Sequence, residues 1–270
     1  ENNLPAEAMQ PRWDRWDSCG LCEQRYHGVV ACALGWACWK TYVGRPETDF
    51  ARIGAMNVLG TGLSSVRDER LGTGCLTDHH ENALSVKEAE LSMLRRVGAP
   101  AHSILVAQGN LAQCYSVLGR KEEALPMFEA VYSGHLKLFG EDGNTISAAM
   151  NYAISLFGMG RFDEAKSLLR EIVPVARRVR GENDVDTLKM RSMHAAALYQ
   201  VADTLDDIRE AVNTLEETVP TTRRLLGGAH PLARVMEEDL RKARAALRAR
   251  EGDVESLRDA VEAMTPPGGA

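Results

Sequence analysis

Two series of small residues recur along this chain at a nearly constant interval, and this recurrence limits its possible folds more than any other feature. Alanines recur at intervals of 41, 41 and 46 residues, at Ala83, Ala124, Ala165 and Ala211. Glycines follow at intervals of 42, 41 and 46 residues, at Gly98, Gly140, Gly181 and Gly227. Because the two series advance together, the sequence predicts a repeated structural unit rather than accidental self-similarity within an ordinary helical bundle.

Each repeat has the pattern of two helices. The first helix carries apolar residues at helical spacing and ends at a glycine, which adopts a left-handed backbone conformation without a Cβ clash. The second begins in a charged turn that places acids near the positive end of the helix dipole, as Glu122 and Glu123 do in one copy. Alternating strand patterns are essentially absent. We therefore predict an all-α protein.

The pattern divides the chain into three parts. Residues 1–27 form a segment rich in Trp and Cys, residues 28–250 form the repeat region, and residues 251–270 form a C-terminal capping helix with a frayed tail. An insertion loop is predicted at about residues 64–77, because the first repeat is longer than the others and contains glycines there. The predicted helices are 29–42, 48–65, 81–97, 102–118, 121–139, 144–158, 162–180, 185–201, 205–226, 231–250 and 253–264.

The repeats resemble tetratricopeptide repeats of the longer kind found in kinesin light chains. One copy carries this resemblance in Asn110–Ala112, Leu118–Arg120, Glu122–Pro126 and Leu138–Glu141, and the next in Asn151–Ala153, Gly160–Arg161 and Asp163–Lys166. The resemblance covers about Leu84 to Pro231 well and extends loosely back to Gly28. It implies a right-handed α-solenoid of stacked antiparallel helix pairs. No long coiled-coil segment is present, so the role of a motor adaptor is not implied.

The resemblance also implies a binding surface on the concave face, which the first helices line. Asn57, Asn110 and Asn151 fall at one equivalent position, where a ladder of amides could clamp a peptide backbone or bridge neighbouring helices. Met193 replaces the amide in the next copy, so the ladder is short. Other predicted surface residues are Gln113 and the apolar Val106, Met150 and Ile154. This mixture favours a hydrophobic peptide or an amphipathic helix as partner.

Four residues near the N-terminus have the spacing of a zinc knuckle: Cys19, Cys22, His27 and Cys32. Three thiolates and one imidazole could complete a tetrahedral zinc site, and Cys38 could replace Cys32. Alternatively, Cys32 and Cys38 are small buried hydrophobic residues of the first long helix, or the first two cysteines form a redox dithiol. No other cofactor is predicted.

Two further clusters have two interpretations each. All four tryptophans lie within the first 39 residues, where they could seal the first repeat or form a docking surface. Arg241, Arg244 and Arg248 share one helical face, which suits a solvated capping helix or a contact with nucleic acid or an acidic partner.

No enzyme signature is present: there is no phosphate-binding loop, no metalloprotease motif and no nucleophile elbow. The net charge of −6 argues against nucleic acid as a partner, and no apolar run is long enough to span a membrane. We expect a non-enzymatic interaction scaffold for a peptide, helix or protein subunit. A permanent subunit of a large assembly and a zinc-bearing regulator that contacts nucleic acid are the alternatives. Cysteine usage predicts an intracellular, cytoplasmic protein, with import into an organelle left open.

Overall fold

The computed structural model describes residues 13–65, 74–202 and 204–264, and of residues 74–78 and 257–264 it describes the backbone alone. Apart from one isolated bridge between Ser18 and Arg25, the regular structure of these residues is helical. The helices are α1 (residues 13–17), α2 (Gly28–Tyr42), α3 (Phe50–Ser64), α4 (Gly74–Arg96), α5 (Ala101–Val117), α6 (Lys121–Phe139), α7 (Gly143–Gly158), α8 (Phe162–Arg180), α9 (Val185–Gln200), α10 (Leu205–Leu226) and α11 (Pro231–Met264). The all-α repeat fold is thereby confirmed.

The chain divides into two compact units, Glu1–Leu138 and Phe139–Ala270, called here the first and second units. In the first unit, α3 packs against α2 and α4, and α4 packs against α5. In the second unit, each helix from α7 to α11 packs against the next one along the chain, and α11 also contacts α9. Consecutive helices joined by short turns therefore form the predicted antiparallel pairs.

The recurring small residues mark the close contacts of these pairs. Ala83, Ala124, Ala165 and Ala211 are all fully buried, as a residue at the crossing of two helices must be. Gly119 and Gly160 end α5 and α7 with positive φ angles of 79° and 71°. A left-handed residue there closes the helix, and any side chain would be strained. The 41-residue interval is thus a repeated packing contact and a repeated helix end.

Side-chain caps fix where the first helices α3, α7 and α9 begin. The carboxylate of Asp142 accepts a hydrogen bond of 2.7 Å from the backbone N–H of Thr145. Asp49 and Asp184 cap α3 and α9 in the same way. Each cap satisfies a backbone donor that the helix itself leaves unpaired. Among the described residues, no helix combines the length and hydropathy needed to cross a bilayer.

Two predicted boundaries differ from the structure by more than two residues. Helix α4 begins at Gly74 rather than at residue 81, so residues 74–77 of the predicted insertion are helical, while residues 66–73 lie outside the described residues. Helix α11 runs unbroken to Met264, through the predicted break near Gly252. Once packing has formed a helix, each added residue gains a hydrogen bond, and a lone glycine costs only about 1 kcal/mol.

Candidate partner-binding surface

Helix α5 presents a stripe of polar and apolar side chains along one face. The predicted residues Val106, Asn110 and Gln113 lie on it, and Val117 continues it at helical spacing. Val106 is 40% exposed, Val117 is 50% exposed, and the amide of Asn110 is half-buried between them. This α5 stripe therefore offers amide donors and acceptors flanked by apolar contacts.

A cavity of about 140 Å³ opens beside this stripe. Its lining combines Asn110, Gln113, Cys114 and Val117 of α5 with Thr61 and Ser64 of α3 and with His80 and Lys87 of α4. A cavity of roughly 150 Å³ holds a molecule the size of benzene, so this one fits a single aliphatic or aromatic side chain. The structure thus brings two predicted residues, Asn110 and Gln113, together at one opening.

Asn57, the remaining predicted residue of the first unit, belongs to a buried charged network. Its Nδ2 donates to Oε1 of Glu90 at 3.0 Å. Lys87 Nζ donates to Oε2 of Glu90 at 3.1 Å and to the backbone carbonyl of Asn57 at 3.1 Å. Lys87 is only 2% exposed and Glu90 only 3%. At Asn57, therefore, the structure has the bridging arrangement, in which the amide joins neighbouring helices.

Lys87 and Glu90 were not among the predicted residues, although the sequence carries a signal for them. Lys87 and Glu90 follow Ala83 by four and seven residues, which places them on the helix face that buries Ala83 and Leu94. A glycine supports the arrangement, because a Cβ on Gly60 would lie 2.6 Å from Cε of Lys87. Charged residues at core positions of an otherwise apolar stripe indicate a buried pair.

The remaining predicted residues lie on α7 in the second unit. Asn151 and Ile154 are exposed and Met150 is half-buried. Their neighbours Ala149 and Ala153 are fully buried, so the two sides of α7 differ clearly in character. This α7 surface has the composition predicted for a partner-binding face.

The N-terminal aromatic residues pack on the first unit. The ring of Trp13 lies 5.4 Å from that of Tyr42, and a Cβ on Gly54 would lie 3.0 Å from Trp13. Trp39 packs against the core, whereas Trp36 is exposed. A cavity of about 410 Å³ lies between this segment and α3, and Trp13, Trp16, Tyr26 and Asn57 contribute to its lining. This packing supports the interpretation of the segment as a cap.

Cys19 and Cys22 occupy a tight turn. Cys19 N–H donates to the carbonyl of Gln24 and Glu23 N–H donates to the carbonyl of Cys19, at 2.9 and 2.8 Å. Glu23 has a positive φ of 56°, which turns the chain back. The backbone N–H groups of Leu21 and Cys22 hydrogen-bond to the Cys19 thiol and lower its pKa. The turn therefore stabilises a thiolate at Cys19.

The structure does not assemble the four predicted zinc ligands into one site. Among the described residues, no three His, Cys, Asp or Glu side chains converge as metal ligands would. Cys32 and Cys38 are both buried in α2. Burial raises the pKa of the Cys32 thiol, and it raises the pKa of the Cys38 thiol to about 12. His27 is exposed at the start of α2. These two buried thiols match the alternative of small hydrophobic residues, and zinc binding stays a prediction.

The second unit holds a half-buried histidine in a cavity of about 430 Å³ between α8 and α10. Burial lowers the pKa of His194. The negative charge of Glu210 raises this pKa, whereas the positive charges of Arg170 and Lys166 lower it further. Its Nε2 is buried and finds no hydrogen-bond partner among the described residues. The neutral imidazole is therefore the form that the folded protein favours.

Comparison with known proteins identifies the repeats. Residues 104–143 and 145–186 match the family model of the tetratricopeptide repeat. Two crystal structures of nearly identical TPR-like repeats assigned to a Podosopora anserina kinesin light chain resemble this chain. One has 21% identity, a TM-score of 0.57, and coverage of 83% of this chain and 100% of the other. The second, of a form with one substitution, has 23% identity, a TM-score of 0.53, and coverage of 69% and 87%.

A third structure covers more of the chain. BtubC (BKLC) from P. vanneervenii has 14% identity and a TM-score of 0.59, with coverage of 99% of this chain and 97% of the other. At these identities the likeness concerns the fold. Among curated protein sequences, none matches this chain.

Proposed function

Because this chain is a tetratricopeptide-repeat protein of the kinesin light chain-like type, we propose that it is a non-enzymatic scaffold for protein–protein interactions. The single observation that carries the proposal is the α5 stripe with its adjoining cavity. A partner peptide or helix inserts one apolar side chain into the cavity, and Asn110 and Gln113 hydrogen-bond to its backbone. Val106 and Val117 contact its flanking apolar residues.

The proposed partner is a protein rather than a membrane or nucleic acid. The stripe has no cluster of basic side chains, and its exposed apolar residues suit an amphipathic segment. The five described cysteines are free thiols, which supports a reducing compartment such as the cytoplasm. Permanent membership of a larger assembly is the alternative, in which the same stripe contacts a neighbouring subunit.

The test uses the whole chain and a displayed library of random peptides of roughly 16 residues, long enough to form a short amphipathic helix. Asn110→Ala with Gln113→Ala should weaken binding of the best selected peptide about thirtyfold without lowering the melting temperature, since the two lost amide hydrogen bonds are worth about 1 kcal/mol each. Calorimetric titration measures the dissociation constant.

A matched control places the same chemistry on second helices of the repeats. Asn82→Ala with Asn213→Ala removes two exposed amides, on α4 and α10, and should leave the affinity unchanged. Equal affinity of the wild type and the Asn110→Ala, Gln113→Ala variant for the peptide would show that these amides do not bind it.

A second candidate function, a zinc-bearing regulator, is favoured by the turn that stabilises the Cys19 thiolate. We propose that Cys19 and Cys22 supply two zinc ligands and that His27 and Cys32, after a rearrangement, complete the tetrahedral site. Zinc titration of the whole chain should give one ion per chain, lost in Cys19→Ser with Cys22→Ser and retained in Cys38→Ser. Absence of zinc uptake by the wild type would exclude this candidate.

A further inference from the structure

Helix α11 changes character along its length. Residues 240–250 contain five basic residues and no acid, namely Arg241, Lys242, Arg244, Arg248 and Arg250. The segment 251–264, called here the acidic end, contains a single basic residue, Arg258, against Glu251, Asp253, Glu255, Asp259 and Glu262. One helix thus carries two adjoining segments of opposite charge.

The basic segment lines a groove. A cavity of about 440 Å³ has apolar residues Val219 and Leu240 in its lining and four arginines around them, Arg223, Arg241, Arg244 and Arg248. Intramolecular ion pairs engage three of these arginines, with Glu237, Glu238 and Glu216 respectively. Within the described part of the chain, Arg248 forms no ion pair. This basic groove suits a segment that carries both acids and apolar side chains.

The apolar stripe of α11 continues past the helices that cover it. Met236 and Ala243 are fully buried against α9 and α10, and Leu240 and Leu247 pack beside them. The same heptad spacing continues with Val254 and Val261, alongside Leu257 and Met264. Val254 is 54% exposed. The acidic end therefore has the sequence of an amphipathic helix whose apolar stripe begins, at Val254, without a cover.

The acidic end cannot reach the basic groove of its own chain. It continues the same unbroken helix, and Val261 lies about 20 Å beyond Arg248 along the helix axis at 1.5 Å per residue. A second copy of the chain removes this restriction, because two antiparallel α11 helices place each acidic end opposite the other chain's basic segment. A two-fold axis then repeats the contact.

We propose that two copies of this chain form a symmetric dimer in which the acidic end of each α11 docks in the basic groove of the other. The acids pair with Arg248 and share Arg241 with Glu238, and Val254 with the apolar positions that follow it in the sequence covers Val219 and Leu240. Apolar residues and Glu237 in the groove lining disfavour a nucleic-acid backbone as the occupant.

Two charge-reversed variants test this pairing in sedimentation and light-scattering measurements. The groove variant is Arg241→Glu with Arg248→Glu, and the end variant is Glu255→Lys with Asp259→Lys. Each variant alone brings like charges together, so its dimer dissociation constant should rise at least about tenfold. An equimolar mixture of the two should dimerise again, because every contact then joins opposite charges. Raising the salt from about 0.1 M to 1 M should weaken the wild-type dimer.

The control variant, Arg95→Glu with Lys137→Glu, makes the same change in net charge as the groove variant, on exposed residues of the first unit, and should dimerise like the wild type. Circular dichroism verifies that each variant is folded. A wild type that is monomeric at about 100 μM, or a mixture that stays monomeric, overturns the proposal. Binding of a fluorescent DNA duplex is measured as well. The proposal is also overturned if the wild type is monomeric and binds the duplex, and the groove variant does not bind it.

Discussion

The two units use the same repeat but differ in what they bury. In the second unit, α8 and α10 bury aliphatic and small side chains such as Ala165, Leu169 and Leu215, and none of their charged residues is fully buried. In the first unit, α4 buries Lys87 and Glu90 at positions of the same apolar stripe. The difference teaches that the repeat pattern tolerates a buried ion pair, provided that each charge finds its partners.

The first unit also packs its helices more closely at one place. A Cβ on Gly62 would lie 2.5 Å from the carbonyl oxygen of Ala31, so only glycine allows α2 and α3 to approach this far. The candidate partner-binding cavity lies next to this region, between α3 and α5. The buried charges and this close glycine contact of the first unit thus lie beside the candidate site.

Breaking the buried pair should have the largest effect. Lys87→Ala leaves the Glu90 carboxylate buried without its cation and should lower the free energy of unfolding by about 3–5 kcal/mol. Lys87→Met with Glu90→Leu should recover most of this loss, since an apolar pair of similar volume needs no compensation. Urea unfolding followed by circular dichroism measures both. A loss below about 1 kcal/mol in Lys87→Ala would mean that the pair is solvated.

The equivalence of the two units can be tested at the recurring alanines. Ala124→Trp in the first unit and Ala165→Trp in the second should each cost about 1–3 kcal/mol or more, because both replace a fully buried methyl group at a helix crossing. Ala130→Trp, at an exposed position of α6, is the control and should be nearly neutral. Thermal unfolding compares the three. A large effect at only one of the two buried alanines would contradict a shared packing position.

The smallest expected effect concerns pH. Burial lowers the pKa of His194, so the folded protein resists a proton that the unfolded chain accepts. Stability from this residue is complete above the ordinary histidine pKa of about 6.5 and is lost as the pH falls below it. His194→Gln should therefore reduce the drop in melting temperature between about pH 7 and pH 5. Identical drops in the variant and the wild type would assign the acid sensitivity to other groups.

Much of the helical framework was predictable from local signals. The helices predicted at 121–139, 162–180 and 205–226 have those limits in the structure, because glycines, caps and charged first turns act within a few residues. The start of α4 at Gly74 and the continuity of α11 through Gly252 were not predictable. There the local signal for a loop was a glycine alone, and its cost is smaller than the gain from extending a helix that is already formed.

For the candidate site, the sequence selected the helix face but not the state of each side chain. It placed Asn110 and Gln113 together correctly, since residues three apart share a helix face. It could not tell that Asn57 at the equivalent position donates to Glu90, because that bond depends on a residue 33 positions away. For the predicted zinc set, the sequence left alternative interpretations open, and the burial of Cys32 in α2 matches the one in which Cys32 is a small core residue.

The amino-acid sequence by itself determined the repeat: its period, its paired helices and the buried alanines at their crossings. These follow from steric and hydrogen-bonding rules that act within one helical turn or between adjacent helices. Only the tertiary structure decided which polar groups are enclosed, how Lys87 and Glu90 are neutralised, and that the chain forms two compact units. Those outcomes depend on contacts between distant residues, for which a local pattern carries no information.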